Sequence, residues 1–138
     1  MEENRFKYRC WHTYGKQIRP SIPGMIYDNR PGDCLKWLAD GEDIIAIMQC
    51  TGSFDKVGEE IYEGDIIQSK SKMVLLHNNK ETGNFKIESY EVRWEQEKSR
   101  WGRWDGCKFE LLSGLQQEYL SKWYSVIGNI YENPELLR

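Results

Sequence analysis

Short runs of apolar residues, alternating or continuous, are separated along this chain by Gly, Asp and Asn. Residues 5–11 alternate basic with apolar side chains, which predicts a half-buried strand with Phe6, Tyr8 and Cys10 on its covered face and the basic side chains in solvent. Residues 44–50 are rich in β-branched side chains and form too short a run for a helix, so we interpret them as a buried strand. Both patterns favour β structure.

The rest of the chain continues in short strands and turns. We predict, in chain order, an edge segment at 22–27, a loop at 28–34, a helix or strand at 34–39, a type I turn at 55–58, a strand from residue 66, a hairpin of 73–77 and 84–94 around a turn at 78–83, strands at 108–112 and 123–130, and helical turns at 115–122 and 133–137. The fold class is therefore mainly β, or α+β at most. We expect a compact bent sheet or a small SH3-like barrel with one or two short helices.

Large aromatic side chains supply much of the expected core. Six Trp and eight Tyr occur among 138 residues, and such rings fit the half-buried surface of a sheet. A chain of this length suits one domain, so we assign residues 1–138 to a single domain.

The charge balance argues against a general polyanion partner. Charged residues make up 30% of the chain, but the net charge is only −3. Residues 40–65 hold eight acidic side chains and one Lys, which we interpret as a solvated rim of turns. Since no apolar run approaches the about 18 residues of a membrane span, we expect a cytoplasmic protein with no membrane contact.

The cysteines give no pattern of metal binding. They lie far apart in the sequence, at Cys10, Cys34, Cys50 and Cys107. No Cys-x-x-Cys pair occurs, and neither His12 nor His77 stands at zinc-finger spacing from a cysteine. We therefore expect free thiols, no metal site and no cofactor.

Four separated blocks resemble those of a known family. They are residues 5–11, 48–52, 60–67 and 126–137, and together they span most of the chain. In this order they resemble the YopX family of small proteins found in bacteriophages and prophages. The resemblance implies a shared fold and a bacterial cytoplasmic setting, but no general biochemical activity. We therefore expect a non-enzymatic accessory protein that binds an unknown host or phage protein, or another copy of itself.

The acidic pair in the third block is the first candidate for chemistry. Glu63 and Asp65 flank Gly64, and two close carboxylates could exchange protons or bind a cation if a cleft excluded water from them. The sequence offers no nucleophile with a base beside it, so we assign no catalytic residue. The favoured interpretation is a structural turn, in which Gly64 permits the tight backbone and Asp65 caps it.

A basic-aromatic loop at residues 98–104 is the second candidate. Its side chains are Lys98, Arg100, Trp101, Arg103 and Trp104. Such a stretch can stack on bases and neutralise phosphates, so single-stranded nucleic-acid binding is the alternative function. However, Glu95, Glu97 and Asp105 leave little net charge there. We therefore favour packing or a protein contact for this loop.

Overall fold

The computed structural model describes residues 6–12, 24–74, 80–106, 109–111 and 116–137, of which 56% lie in strands. The elements in these ranges are β1 (Tyr8–His12), β2 (Gly24–Tyr27), α1 (Asp33–Ala39), β3 (Ile44–Phe54), β4 (Glu60–Tyr62), β5 (Asp65–Val74), β6 (Glu81–Glu95), β7 (Arg100–Trp104), β8 (Phe109–Leu111), α2 (Gln116–Trp123), β9 (Tyr124–Asn129) and a 3-10 helix (Pro134–Leu137). The expected mainly β class with short helices is confirmed.

The strands form two antiparallel sheets. The first has the order β2-β1-β3-β4, and the second has the order β8-β7-β6-β5-β9. One of the two sheets curls strongly into a half-barrel, which confirms the bent sheet expected from the sequence. A two-residue turn at 63–64 joins β4 to β5 and so carries the chain from one sheet to the other.

The main core lies between the second sheet, β4 and α2. Its buried side chains are Ile61, Ile67, Val92, Leu120 and Tyr124, and Tyr90, Trp101 and Val126 pack against them. Alternation along β5 and β6 places Ile67, Tyr90 and Val92 on this covered face, while α2 contributes Leu120. Ile127, the neighbour of Val126 in β9, is only partly covered.

Several sequence predictions need correction. Of the two alternatives for residues 34–39 the helix is present, but it already begins at Asp33 inside the predicted loop. The predicted buried strand at 44–50 is part of a longer strand with only one face well covered, because Met48 and Cys50 are buried while Ile45 is 57% exposed. In the hairpin of β5 and β6, the second strand begins earlier than predicted, because Glu81 already pairs with Val74. Residues 75–79 of the turn lie outside the described ranges.

Asp55 shows that the acidic stretch 40–65 is not simply a solvated rim. This carboxylate is buried and accepts hydrogen bonds from the backbone N–H groups of Val57 and Glu59. Its other oxygen accepts from the N–H of Val126, 2.9 Å away in β9. The predicted turn at 55–58 is therefore present, and its first residue ties the turn to the last strand.

Candidate functional site

The turn between the two sheets is held by backbone and carboxylate hydrogen bonds. Gly64 has a φ of 88°, a conformation that favours glycine, and its N–H donates to the carbonyl of Val92 in the second sheet. Asp65 Oδ2 accepts from the N–H of Tyr62 at 2.8 Å. These are the contacts of a capped turn, the role that we expected for this segment.

Asp65 also forms a buried ion pair that the sequence pattern did not predict. Its Oδ1 lies 2.7 Å from Arg9 Nη2, with side-chain exposures of 2% and 3%, although the contact lacks the angles of a hydrogen bond. Arg9 further donates to the carbonyl of Glu63 and to the hydroxyl of Tyr27. Burial raises the pKa of the Asp65 carboxyl to about 6, and the nearby guanidinium opposes that rise.

The basic side chain of Arg9 was expected on the solvent side of β1, and that expectation is wrong. Both Arg9 and its neighbour Cys10 are buried, although successive residues of a strand point to opposite faces. The second sheet therefore covers the face that the alternation assigned to solvent, since Arg9 reaches Asp65 at the start of β5.

Glu63 and Asp65 line different cavities. Asp65 and Arg9 border a polar cavity of about 300 Å³ beside the backbone of residues 126–129. Glu63 borders a separate cleft of about 220 Å³ between the two sheets. The turn thus directs the two carboxylates apart, and they do not form the paired acid/base site that their spacing in the sequence made possible.

Residues of four segments line this second cavity, which we call the inter-sheet cleft. They are Ile47 and Met48 of β3, Glu63 and Gly64 of the turn, Glu91, Arg93 and Trp94 of β6, and Ile130 and Tyr131 after β9. The ring of Tyr131 stacks on Trp11 with centroids 5.6 Å apart, which holds that wall in place. The cleft therefore combines acidic, basic, apolar and aromatic groups.

The charges in the inter-sheet cleft are unevenly balanced. Arg93 donates to both carboxylate oxygens of Glu91, at 2.9 and 3.1 Å. Glu63 has no ion-pair partner among the residues that the structure describes. Burial raises the pKa of Glu63 and the nearby Glu91 raises it further, while a backbone hydrogen bond from Gln49 and the charge of Arg9 act against them.

Sequence reasoning singled out Glu63 but missed its neighbours in the cleft. Glu91 and Arg93 occupy alternate positions of a strand, which in sequence resembles any polar face. Tyr131 lies two residues after β9, in the last family block, and its place in that block was the one sequence signal for it.

The basic-aromatic segment is not a loop throughout, because residues 100–104 form β7 between β6 and β8. Arg100 Nε lies 2.8 Å from Glu95, and Arg103 pairs with Glu110 at 2.7 Å. Lys98 is exposed in the turn that precedes the strand. Two of the three cations are thus neutralised by neighbouring strands.

The two Trp rings of this segment also have partners within the protein. Trp101 packs against the core and meets Trp94 edge-on, with ring centroids 5.0 Å apart. Trp104 lies under the guanidinium of Arg93, which is 4.4 Å from the ring centroid. The segment therefore serves sheet packing, and its geometry does not favour the stacking of a nucleic-acid strand.

The described ranges bear on two further properties of the chain. They contain no group of three or more His, Cys, Asp or Glu side chains placed to hold a metal ion. Among the same residues, no helix is both long and apolar enough to cross a membrane. Cys107 lies outside these ranges, and the absence of a metal site stays a prediction.

Comparison with known proteins identifies proteins that are similar to this chain. It is similar to protein EF1440 from Enterococcus faecalis, whose crystal structure matches with a TM-score of 0.53 and 25% identity, over 96% of this chain and 97% of that one. No curated protein matches. The family model described as YopX protein matches residues 7–138. The resemblance seen in the sequence blocks is confirmed, and this chain belongs to the YopX family.

Proposed function

We propose that this chain is a non-enzymatic phage or prophage accessory protein that acts in the bacterial cytoplasm by binding a host or phage protein. Self-association is the second form that such binding can take. The family supports the setting, because its members are found on phage and prophage genomes. The observation that carries the proposal is a projecting arm of β5 and β6.

The β5–β6 arm, residues 70–74 and 81–87, extends beyond its neighbours in the sheet. Strand β9 pairs with β5 only as far as Ser69, and β7 pairs with β6 only from Glu91 onward. Within the described residues the arm is therefore a two-stranded ribbon with unpaired edges. Such a ribbon is marginally stable alone, and an open edge can pair with another chain.

One face of the β5–β6 arm is apolar and exposed. Phe85 and Ile87 lie two residues apart on β6, so they share a face, and they are 48% and 56% exposed. The ammonium group of Lys70 lies 4.3 Å from the centroid of the Phe85 ring. An exposed aromatic ring beside an exposed aliphatic side chain is typical of the apolar centre of protein interfaces, where aromatic residues are enriched.

Truncation of these anchors tests the proposal. We expect the double change Phe85→Ser and Ile87→Ser to weaken partner capture or self-association by at least about tenfold, as for interface anchors. The control is Val57→Ser, which removes a 75% exposed apolar side chain from a turn elsewhere. Light scattering coupled to size exclusion measures self-association, and nuclease-treated affinity purification from lysogenic cells measures other partners. Equal assembly by the double variant and the wild type would contradict the proposal.

A further inference from the structure

We propose that the inter-sheet cleft binds a basic side chain, a guanidinium or ammonium group presented by a partner protein. The inference deepens the protein-binding function proposed above and rests on it. It assigns a ligand chemistry to a cavity separate from the β5–β6 arm.

The size of the cleft limits its occupant. Its volume of about 220 Å³ is below the about 300–1,000 Å³ typical of pockets for drug-sized ligands. A single long side chain fits that scale better than a nucleotide or a cofactor does. Because the cleft opens between two sheets, a side chain on the surface of another protein can enter it without either backbone being buried.

The charge in the cleft selects a cation. The guanidinium of Arg93 is already committed to Glu91 through two hydrogen bonds, and that of Arg9 is committed to Asp65. Glu63 is the lining carboxylate that remains without an ion pair among the described residues. An incoming guanidinium or ammonium would supply the missing charge through short, charge-assisted hydrogen bonds.

The walls suit the rest of a basic side chain. Ile47, Met48 and Ile130 offer apolar contact for its aliphatic stem. The ring of Tyr131 also lines the cleft, and a cation over an aromatic ring gains an interaction that strengthens when water is excluded. Since the stack on Trp11 already holds Tyr131, little ordering is needed when the ligand enters.

The test uses defined probes. Acetyl-arginine methylamide and acetyl-lysine methylamide are titrated into the full chain and followed by ¹H–¹⁵N spectra. We expect saturable shifts at residues 63, 94 and 131 for at least one probe, with a dissociation constant on the order of 1 mM or tighter. The citrulline derivative has the shape of arginine without its charge, and it should bind at least about tenfold more weakly.

Variants assign the effect to one carboxylate. Glu63→Gln should weaken binding by about tenfold, whereas Glu59→Gln, which removes an exposed charge beside the other cavity, should change it by less than about twofold. No binding of either cationic probe, equal binding of citrulline, or unchanged binding to Glu63→Gln would overturn the inference. These failures would not affect the test of the β5–β6 arm, which uses different residues and no added ligand.

Discussion

At the scale of single residues, the ion pair of Arg9 and Asp65 joins the first sheet to the second. Two charges removed from water rarely add net stability, because their desolvation offsets their attraction. The loss of one partner is costly, however, since it leaves the other charge buried alone. We infer that this pair fixes how the sheets meet more than it stabilises them.

We expect Arg9→Met alone to lower the free energy of unfolding by about 3–5 kcal/mol, because it leaves the Asp65 carboxylate buried without a cation. Asp65→Asn alone should cost less, because burial already favours the neutral form of that carboxyl. The double variant should lose less than the sum of the two changes, because neither charge is then left unpaired. Denaturant titration measures all three. The control is the more exposed pair of Lys7 and Glu60, whose atoms are 3.2 Å apart and whose removal should cost less than about 1 kcal/mol. Additive losses at Arg9 and Asp65 would contradict the coupling.

The pKa of Asp65 predicts a pH dependence of stability. Because burial raises this pKa in the folded state to about 6, the folded protein binds a proton more readily than the unfolded chain does. The contribution of Asp65 therefore falls as the pH rises from about 4 to about 6, by on the order of 2 kcal/mol. Unfolding titrations across this range should show a less negative slope for Asp65→Asn. Identical slopes would refute the assignment.

The residues also show which contacts a sequence reveals. The turn capped by Asp65 was predictable, because Gly64 and the acid that follows it are a local signal. The contact of Arg9 with Asp65 was not predictable. Alternation along β1 indicates which residues share a face, but it does not indicate which face a distant sheet will cover. The ion pair joins residues 56 positions apart (65 − 9).

At the scale of elements, the contacts of β7 explain why this charged and aromatic segment forms a strand. Its cations find acids on the flanking strands, and Gly102 leaves space for the ring of Phe109 on β8. A loop was predicted because the pattern around residues 98–104 lacks a clear apolar face. The strand is instead stabilised by its contacts with β6 and β8, which the local pattern of residues does not show.

Gly102→Ala tests this packing. A Cβ at this position would overlap the ring of Phe109, so we expect a loss of about 1–3 kcal/mol in the free energy of unfolding. Phe109→Ala removes the ring, and the double variant should be less destabilised than the sum of the two changes. Thermal or denaturant unfolding measures the effect. The same loss from Gly102→Ala in the presence and absence of the ring would show that β7 and β8 do not pack in this way.

At the scale of the whole molecule, charge and topology decide what the surface can bind. The net charge is −3, and the cations of β7 are paired within the sheet. The inter-sheet cleft is lined by residues from four segments that are distant in sequence, so no local motif predicted it. The fold class was predictable from short strands and turns, whereas the cleft depends on how the two sheets meet.

We expect no measurable binding of single-stranded oligonucleotides at physiological salt, because the protein is acidic and the rings of Trp101 and Trp104 are engaged. Fluorescence anisotropy at several salt concentrations checks this. Binding with a slope near −0.7 per phosphate contact that disappears in Lys98→Gln and Arg100→Gln would instead favour the alternative function. Lys122→Gln, which removes an exposed cation elsewhere, is the matched control.

The bond from Val126 to Asp55 spans 71 residues, and it has a consequence for how the protein is made. During synthesis, β5 emerges long before β9, so one edge of the second sheet stays open until residues 124–129 have left the ribosome. A chain that stopped before residue 124 would keep that edge and leave Asp55 without this hydrogen bond. We expect such a fragment to aggregate or be degraded. The nascent chain therefore most needs a chaperone between the synthesis of β5 and the synthesis of β9.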